Sequence, residues 1–169
     1  ADAVEELMQG GGVGRRGRSD YVRQAVLVAK EMPGTPVKLL WSREEDMTHC
    51  QYHPITMCRL SGGLDAQGNL VGLHMRISGQ SILASLLPQN LVNGMDPVAF
   101  QGVMASGVEA AYGYTVPNLL IEHAMRNPHI TAGFWRGVNV NQNAVYMECF
   151  MDELAEAAGQ DPLAFRMKL

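Results

Sequence analysis

Apolar residues at Val22, Ala25, Val26, Ala29 and Met32 recur at helical spacing behind Ser19 and Asp20, either of which can cap a helix. Pro33-Gly34 stops the pattern, which predicts a helix over 19–32. Pro36 to Trp41 is a short apolar run between turn residues and predicts a buried strand beside that helix. From Ile55 to Leu64 and from Leu70 to Ser78 apolar positions alternate on either side of the turn sequence Asp65-Ala66-Gln67-Gly68-Asn69, the signature of a β-hairpin. Periodicity fades from Gln80 to Gly113, where Pro88, Gly94, Pro97, Gly102 and Gly107 interrupt, so a loop-rich excursion with short helical turns is expected. Leu119 to Met125 reads as another strand. Asn143 to Ala158 reads as a helix with Val145, Met147, Phe150, Met151, Leu154 and Ala158 on its apolar face, ended by Gly159. A further helix begins near Pro162. This mixture predicts an α+β fold, a mixed sheet with helices packed on it, over a single domain spanning 1–169.

Composition narrows the function. The 169 residues are 47% hydrophobic, enough for a real core, and the net charge of −4 offers no basic field for a nucleic-acid backbone. Cys50, Cys58 and Cys149 have no CxxC spacing and are odd in number, so reduced thiols are expected. No stretch approaches the roughly 18 apolar residues of a membrane span, and the first residues are acidic where a signal peptide would be basic. The chain is therefore expected to be soluble, its compartment cytoplasmic or periplasmic. Its ends, a glycine run at once and a helix just begun at the close, suggest a piece of a larger protein.

Two loops carry the candidate chemistry. Gly10-Gly11-Gly12-Val13-Gly14-Arg15-Arg16-Gly17 runs straight into the first predicted helix, so backbone N–H groups can converge on an anion or on a ligand that needs close backbone approach. A flexible turn is the plainer alternative. Gly12, Gly14 and Gly17 also fit a dinucleotide fingerprint, but that motif needs a strand just before it, and Val4 to Met8 is short and charged. In the second loop, Gly133-Phe134-Trp135-Arg136-Gly137-Val138-Asn139-Val140-Asn141-Gln142, an arginine stands beside two aromatics that can wall it from water. A desolvated guanidinium binds anions and carbonyls strongly. A surface arginine stacked on Trp135 is the alternative. His49-Cys50-Gln51-Tyr52-His53 has zinc-type ligands but no matching pair elsewhere, and no metal ligand is assigned. His74 reads as a hairpin side chain, and Asp152 and Glu153 as solvated. There is no Gly-x-Ser-x-Gly elbow, Ser81 and Ser106 lack an obvious base, and the eleven methionines read as packing filler.

The two loops in this order, followed by Met151-Asp152-Glu153-Leu154-Ala155 and Gly159-Gln160-Asp161-Pro162-Leu163-Ala164-Phe165-Arg166, resemble the xanthine dehydrogenase and aldehyde oxidoreductase family of molybdenum hydroxylases. The likeness is nearest to the large subunits of the isoquinoline 1-oxidoreductase type and runs from about Gly10 onward. It implies part of a molybdenum cofactor-binding domain, with molybdopterin, in its cytosine dinucleotide form, as cofactor. Gly11, Gly12, Val13, Gly14 and Arg15 would line the cofactor and Gln142 would lie near the pterin. Arg136 would be the catalytic residue facing the metal centre or substrate, with Trp135 and Val138 on the substrate wall. The substrate would be an N-heterocycle or an aldehyde, hydroxylated with water, and a small 2Fe-2S subunit would be the partner.

The departures from the family carry information too. The family usually has Phe at Val13, and xanthine-type members carry Gly-Lys-Glu where Arg15-Arg16-Gly17 stand, so the purine-orienting carboxylate is absent and purine oxidation is disfavoured. Val138-Asn139 replaces the Phe-Gly of many relatives. The family's glutamate base and an upstream glutamine have no counterpart in these 169 residues. Glu44, Glu45 and Glu109 are candidates only by type. The chain alone is expected to be inactive, and a folding or assembly module without cofactor stands as the alternative.

Overall fold

The structure, a computed structural model, describes residues 11–103 and 113–169. The charged stretch at 4–8, Gly10, Ser106, Gly107 and Glu109 lie outside the described residues. The described chain runs through α1 (Asp20–Lys30), α2 (Arg43–His49), β1 (Thr56–Leu64), β2 (Leu70–Gly79), α3 (Ile82–Leu86), β3 (Leu119–Met125), α4 (Val140–Ala157) and α5 (Pro162–Arg166). Single 3-10 turns stand at Arg15–Gly17, Pro88–Asn90 and Pro97–Phe100.

The three strands form one sheet in the order β1-β2-β3. β1 and β2 are the expected hairpin, antiparallel from Thr56 opposite Gly79 to Leu64 opposite Leu70. Its turn is built by Asp65, whose Oδ1 accepts from the amides of Gln67 and Asn69, both at 2.9 Å. β3 adds parallel to β2, Leu73 opposite Leu119 through Gly79 opposite Met125. A parallel neighbour needs a long crossover, and the irregular excursion after residue 80 supplies it. The sheet is therefore mixed and the fold α+β, as the pattern predicts.

Alternation decides the faces. Leu73, Met75 and Ile77 of β2 are buried and meet Met147, Met151, Leu154 and Ala155 of α4. Phe165 of α5 closes the end of this core at 1% exposure. Cys58 joins the core's margin from β1, and burial pushes its thiol up to about 11, so it stays protonated at neutral pH. The opposite face is polar, with His74 of β2 bonded to Glu122 of β3 at 3.0 Å.

Four expectations need correction. Pro36 to Trp41 is not a strand, and Leu40 is 75% exposed. An apolar run becomes a strand only where a neighbour takes its backbone hydrogen bonds, and among the described residues the sheet holds β1, β2 and β3 alone. The first helix ends at Lys30, two residues early, and its cap residue Ser19 makes no side-chain cap bond. α4 starts three residues earlier than its apolar spacing indicates, because the turn through Gly137 leads directly into it. Asp152 is not merely solvated: it accepts from Arg166 Nη1 at 2.6 Å, which ties α5 to α4.

Candidate functional site

The glycine loop and the arginine loop meet. A Cβ built on Gly14 would collide with the Phe134 carbonyl and lie 2.6 Å from the Trp135 amide nitrogen, so the two backbones touch where no side chain fits. Gly14 has φ +84°, and Val13 before it has φ +47°, a conformation that a β-branched residue rarely adopts. The arginine loop repeats this, with Gly137 at φ +81° and Val138 at φ +45°. Such backbone is costly, of order 1–3 kcal/mol per residue, and persists only where the surroundings enforce it.

Between the loops lies a cavity of about 260 Å³ lined by Val13, Arg15, Asp46, Cys50, Gln51, Phe134, Trp135 and Arg136. The sequence singles out Val13, Arg15, Trp135 and Arg136 for this chemistry. Asp46, Cys50 and Gln51 come from α2 and the segment after it; Cys50 and Gln51 stand in the 49–53 run weighed only for zinc, and no pattern ties any of the three to this cavity. Larger grooves lie along the polar face of the sheet and beside α1, at Ser61 to Leu120 and at Arg15 to Trp41, but both are more open to solvent.

The two arginines differ in environment. Arg15 donates to Asp20 through both terminal nitrogens, at 2.7 and 3.2 Å, and its guanidinium lies 5.3 Å from the Tyr21 ring centre and 5.6 Å from that of Trp41. That bond holds the Asp20 carboxyl below its usual range. Arg136 is exposed, so the expected aromatic wall belongs to Arg15 instead. Stacking of Arg136 on Trp135 is not among the ring contacts of the described residues. The backbone of Arg136 is nonetheless fixed, since its carbonyl accepts from Asn141 Nδ2 at 2.8 Å.

The other named residues sit outside the cavity lining. Gly11 and Gly12 give their carbonyls to Arg16, from its guanidinium at 3.3 Å and its amide at 3.1 Å. Val138 turns its carbonyl to His53 Nε2 at 2.9 Å. Gln142, in the first turn of α4, donates to Asn139 Oδ1 at 2.6 Å, while its own Oε1 is buried without a hydrogen-bond partner. Glu44 and Glu45 do not line the cavity, and Glu45 pairs with His49 at 2.9 Å. Among the described residues no cluster of three or more His, Cys, Asp or Glu could hold a metal ion directly. No described helix is long and apolar enough to cross a membrane.

These features suit a cofactor held through an organic group. The cavity offers two cationic side chains for oxyanions or phosphate, Arg15 paired with Asp20 and Arg136 exposed, and at the end of the arginine loop Gln142 has a buried amide oxygen lacking a donor. A pterin with a phosphate tail carries the complementary groups.

Comparison with known proteins agrees with this chemistry. Residues 4–169 match the family described as the molybdopterin cofactor-binding domain. The chain is 28% identical over 161 residues to the isoquinoline 1-oxidoreductase subunit beta of Brevundimonas diminuta, covering 94% of this chain and 20% of that protein. It is 27% identical over 170 residues to a protein named membrane-bound aldehyde dehydrogenase [pyrroloquinoline-quinone] of Gluconacetobacter polyoxogenes, covering 98% of this chain and 22% of that one. In fold it resembles the aldehyde oxidoreductase of Desulfovibrio gigas, with TM-score 0.66, 21% identity, and coverage of 94% of this chain and 16% of that one. The chain thus spans about a fifth of the length of these curated relatives. With a match across nearly its whole length, and with the glycine and arginine loops joined as described, the chain belongs to the molybdopterin cofactor-binding domain family.

Proposed function

We propose that this chain forms one wall of the cofactor and substrate pocket in the large subunit of a molybdenum hydroxylase that oxidises an N-heterocycle or an aldehyde with water. The observation that carries the reading is the convergence of the glycine loop and the arginine loop on one cavity. At about 260 Å³ that cavity falls just below the usual range for ligand pockets, roughly 300–1,000 Å³. It suits a small substrate or one end of the cofactor, and other segments of a longer protein would complete the pocket. The lengths of the relatives support this division.

When bound, the molybdenum group supplies two-electron oxidation with water as the oxygen source. The chain's own residues do the holding and orienting. Val13 and Arg15 would line the cofactor from the glycine loop, and Gln142 Oε1 would accept from the pterin. Arg136 draws negative charge on the substrate or at the reacting centre, while Trp135 gives a flat wall to an aromatic or aldehyde substrate. Val13, smaller than the Phe of many relatives, leaves more room beside that wall. The cytosine dinucleotide form of molybdopterin and a small 2Fe-2S partner subunit belong to this proposal. The family resemblance assigns proton removal to a carboxylate outside these residues; Glu44 and Glu45 do not line the cavity, whereas Asp46 does.

The test is Arg136→Leu in the complete protein. Loss of a preorganised charge at the reacting centre lowers the oxidation rate per bound molybdenum on the order of a hundredfold, with cofactor content little changed. An unchanged rate per molybdenum would contradict the role given to Arg136. The rival reading, a folding module without cofactor, requires that no molybdenum be found in the complete protein at all.

A further inference from the structure

Three consecutive residues outside both loops hold the arginine loop at its two ends. At its entry Tyr52 forms a parallel bridge with Ala132: its amide donates to the Thr131 carbonyl at 3.2 Å, and its own carbonyl accepts from the Gly133 amide at 2.8 Å. Gln51 packs so closely on Gly133 that a Cβ there would lie 2.6 Å from Gln51 Oε1. At the exit His53 Nε2 lies 2.9 Å from the Val138 carbonyl, across 85 residues of sequence. A carbonyl only accepts, so this bond forms when the ring carries a proton on Nε2. The other ring nitrogen faces the Pro54 carbonyl at 3.1 Å.

The exit bond falls on the costly part of the loop. Val138 is β-branched at φ +45° and follows Gly137 at φ +81°. Within the loop, this turn is tied by the Val138 amide to the Trp135 carbonyl at 2.6 Å and the Val140 amide to that of Gly137 at 3.0 Å. These are local bonds that other turn geometries could also make. The bond from His53 comes from a different part of the fold, the segment leading into β1, and at the next residue the Asn139 amide donates to Gln101 Oε1 at 3.3 Å.

We infer that His53 is a positioning residue for the arginine loop: its Nε2–H fixes the Val138 carbonyl, and with it the left-handed Gly137–Val138 pair that sets where Trp135 and Arg136 stand. The meaning of that placement for a substrate rests on the function proposed above, whereas the brace itself does not. The sequence His49 to His53 therefore has a use other than metal binding.

Hydrogen exchange of the complete protein, read by mass spectrometry over 134–142 with cofactor removed, tests the brace. His53→Leu should speed exchange of the Val138 and Val140 amides about tenfold, the loss of one hydrogen bond, with the β1–β2 amides unchanged. His53→Gln, which keeps an N–H donor near the Nε2 position, should restore most of the protection. In a Val138→Gly background, where the left-handed backbone is no longer strained, His53→Leu should have little further effect. Equal exchange in His53→Leu and wild type would overturn the inference. So would equal acceleration in the hairpin, failure of Gln to rescue, or an undiminished effect in the glycine background. Because the readout needs no cofactor, absence of molybdenum leaves the brace standing, and failure of the brace leaves the cofactor reading standing.

Discussion

Gly14 is the residue on which the two loops depend. Its φ of +84° and the backbone of Phe134 and Trp135 where a Cβ would stand leave alanine two faults at once, strain and collision. Gly14→Ala in the complete protein should therefore shed cofactor and destabilise the domain by about 1–3 kcal/mol, measured together as molybdenum content and denaturant midpoint. Alanine tolerated with full molybdenum content would show that the loops do not need this contact. At this scale the sequence reveals residues whose types are unusual in their setting: the glycine run, and an arginine beside two aromatics. It hides those that reach the site only through folding. Asp46, Cys50 and Gln51 line the cavity about 80 residues before the arginine loop, and their local pattern, which for Cys50 and Gln51 suggests only zinc, does not connect them to it. The exposure of Arg136 was also hidden, since neighbours in sequence do not determine which aromatic packs on which guanidinium.

Among the elements, α4 does the most to connect the site to the core. Its apolar face meets the sheet, and its first turn carries a set of amides that hold the excursion after β2. Asn139 Nδ2 donates to the Val98 carbonyl at 2.8 Å, and Asn143 Nδ2 to those of Ala99 and Gln101 at 2.9 and 2.8 Å. Asn143 is fully buried, so leucine there would leave two carbonyls without that donor. Asn143→Leu should cost about 3 kcal/mol and lower Tm by roughly 10 °C, read by calorimetry. A variant melting with wild type would mean that these bonds contribute nothing net. The hairpin, β3 and α4 were legible because period-2 and period-3.6 apolar patterns reflect packing on one face. The run from Pro36 to Trp41 misleads because hydrophobicity reports a tendency to be buried and says nothing of which strand would pair with it.

The molecule as a whole is uneven. Its core lies between the sheet, α4 and α5, while neither α1 nor α2 contains a buried residue and Leu27, Leu40 and Met47 are each more than half exposed. So much uncovered apolar surface beside the candidate site fits a domain that packs against further protein, as the relatives' greater length also suggests. The central claim is that the two loops and the cavity between them belong to a molybdopterin pocket. The names of the relatives differ on this point, one of them specifying pyrroloquinoline quinone. The decisive measurement is elemental analysis for molybdenum, with extraction of fluorescent pterin, on the complete purified protein. Molybdenum and pterin in equal amounts, approaching one of each per chain, is the expected result; a quinone without molybdenum, or neither group, would contradict the account.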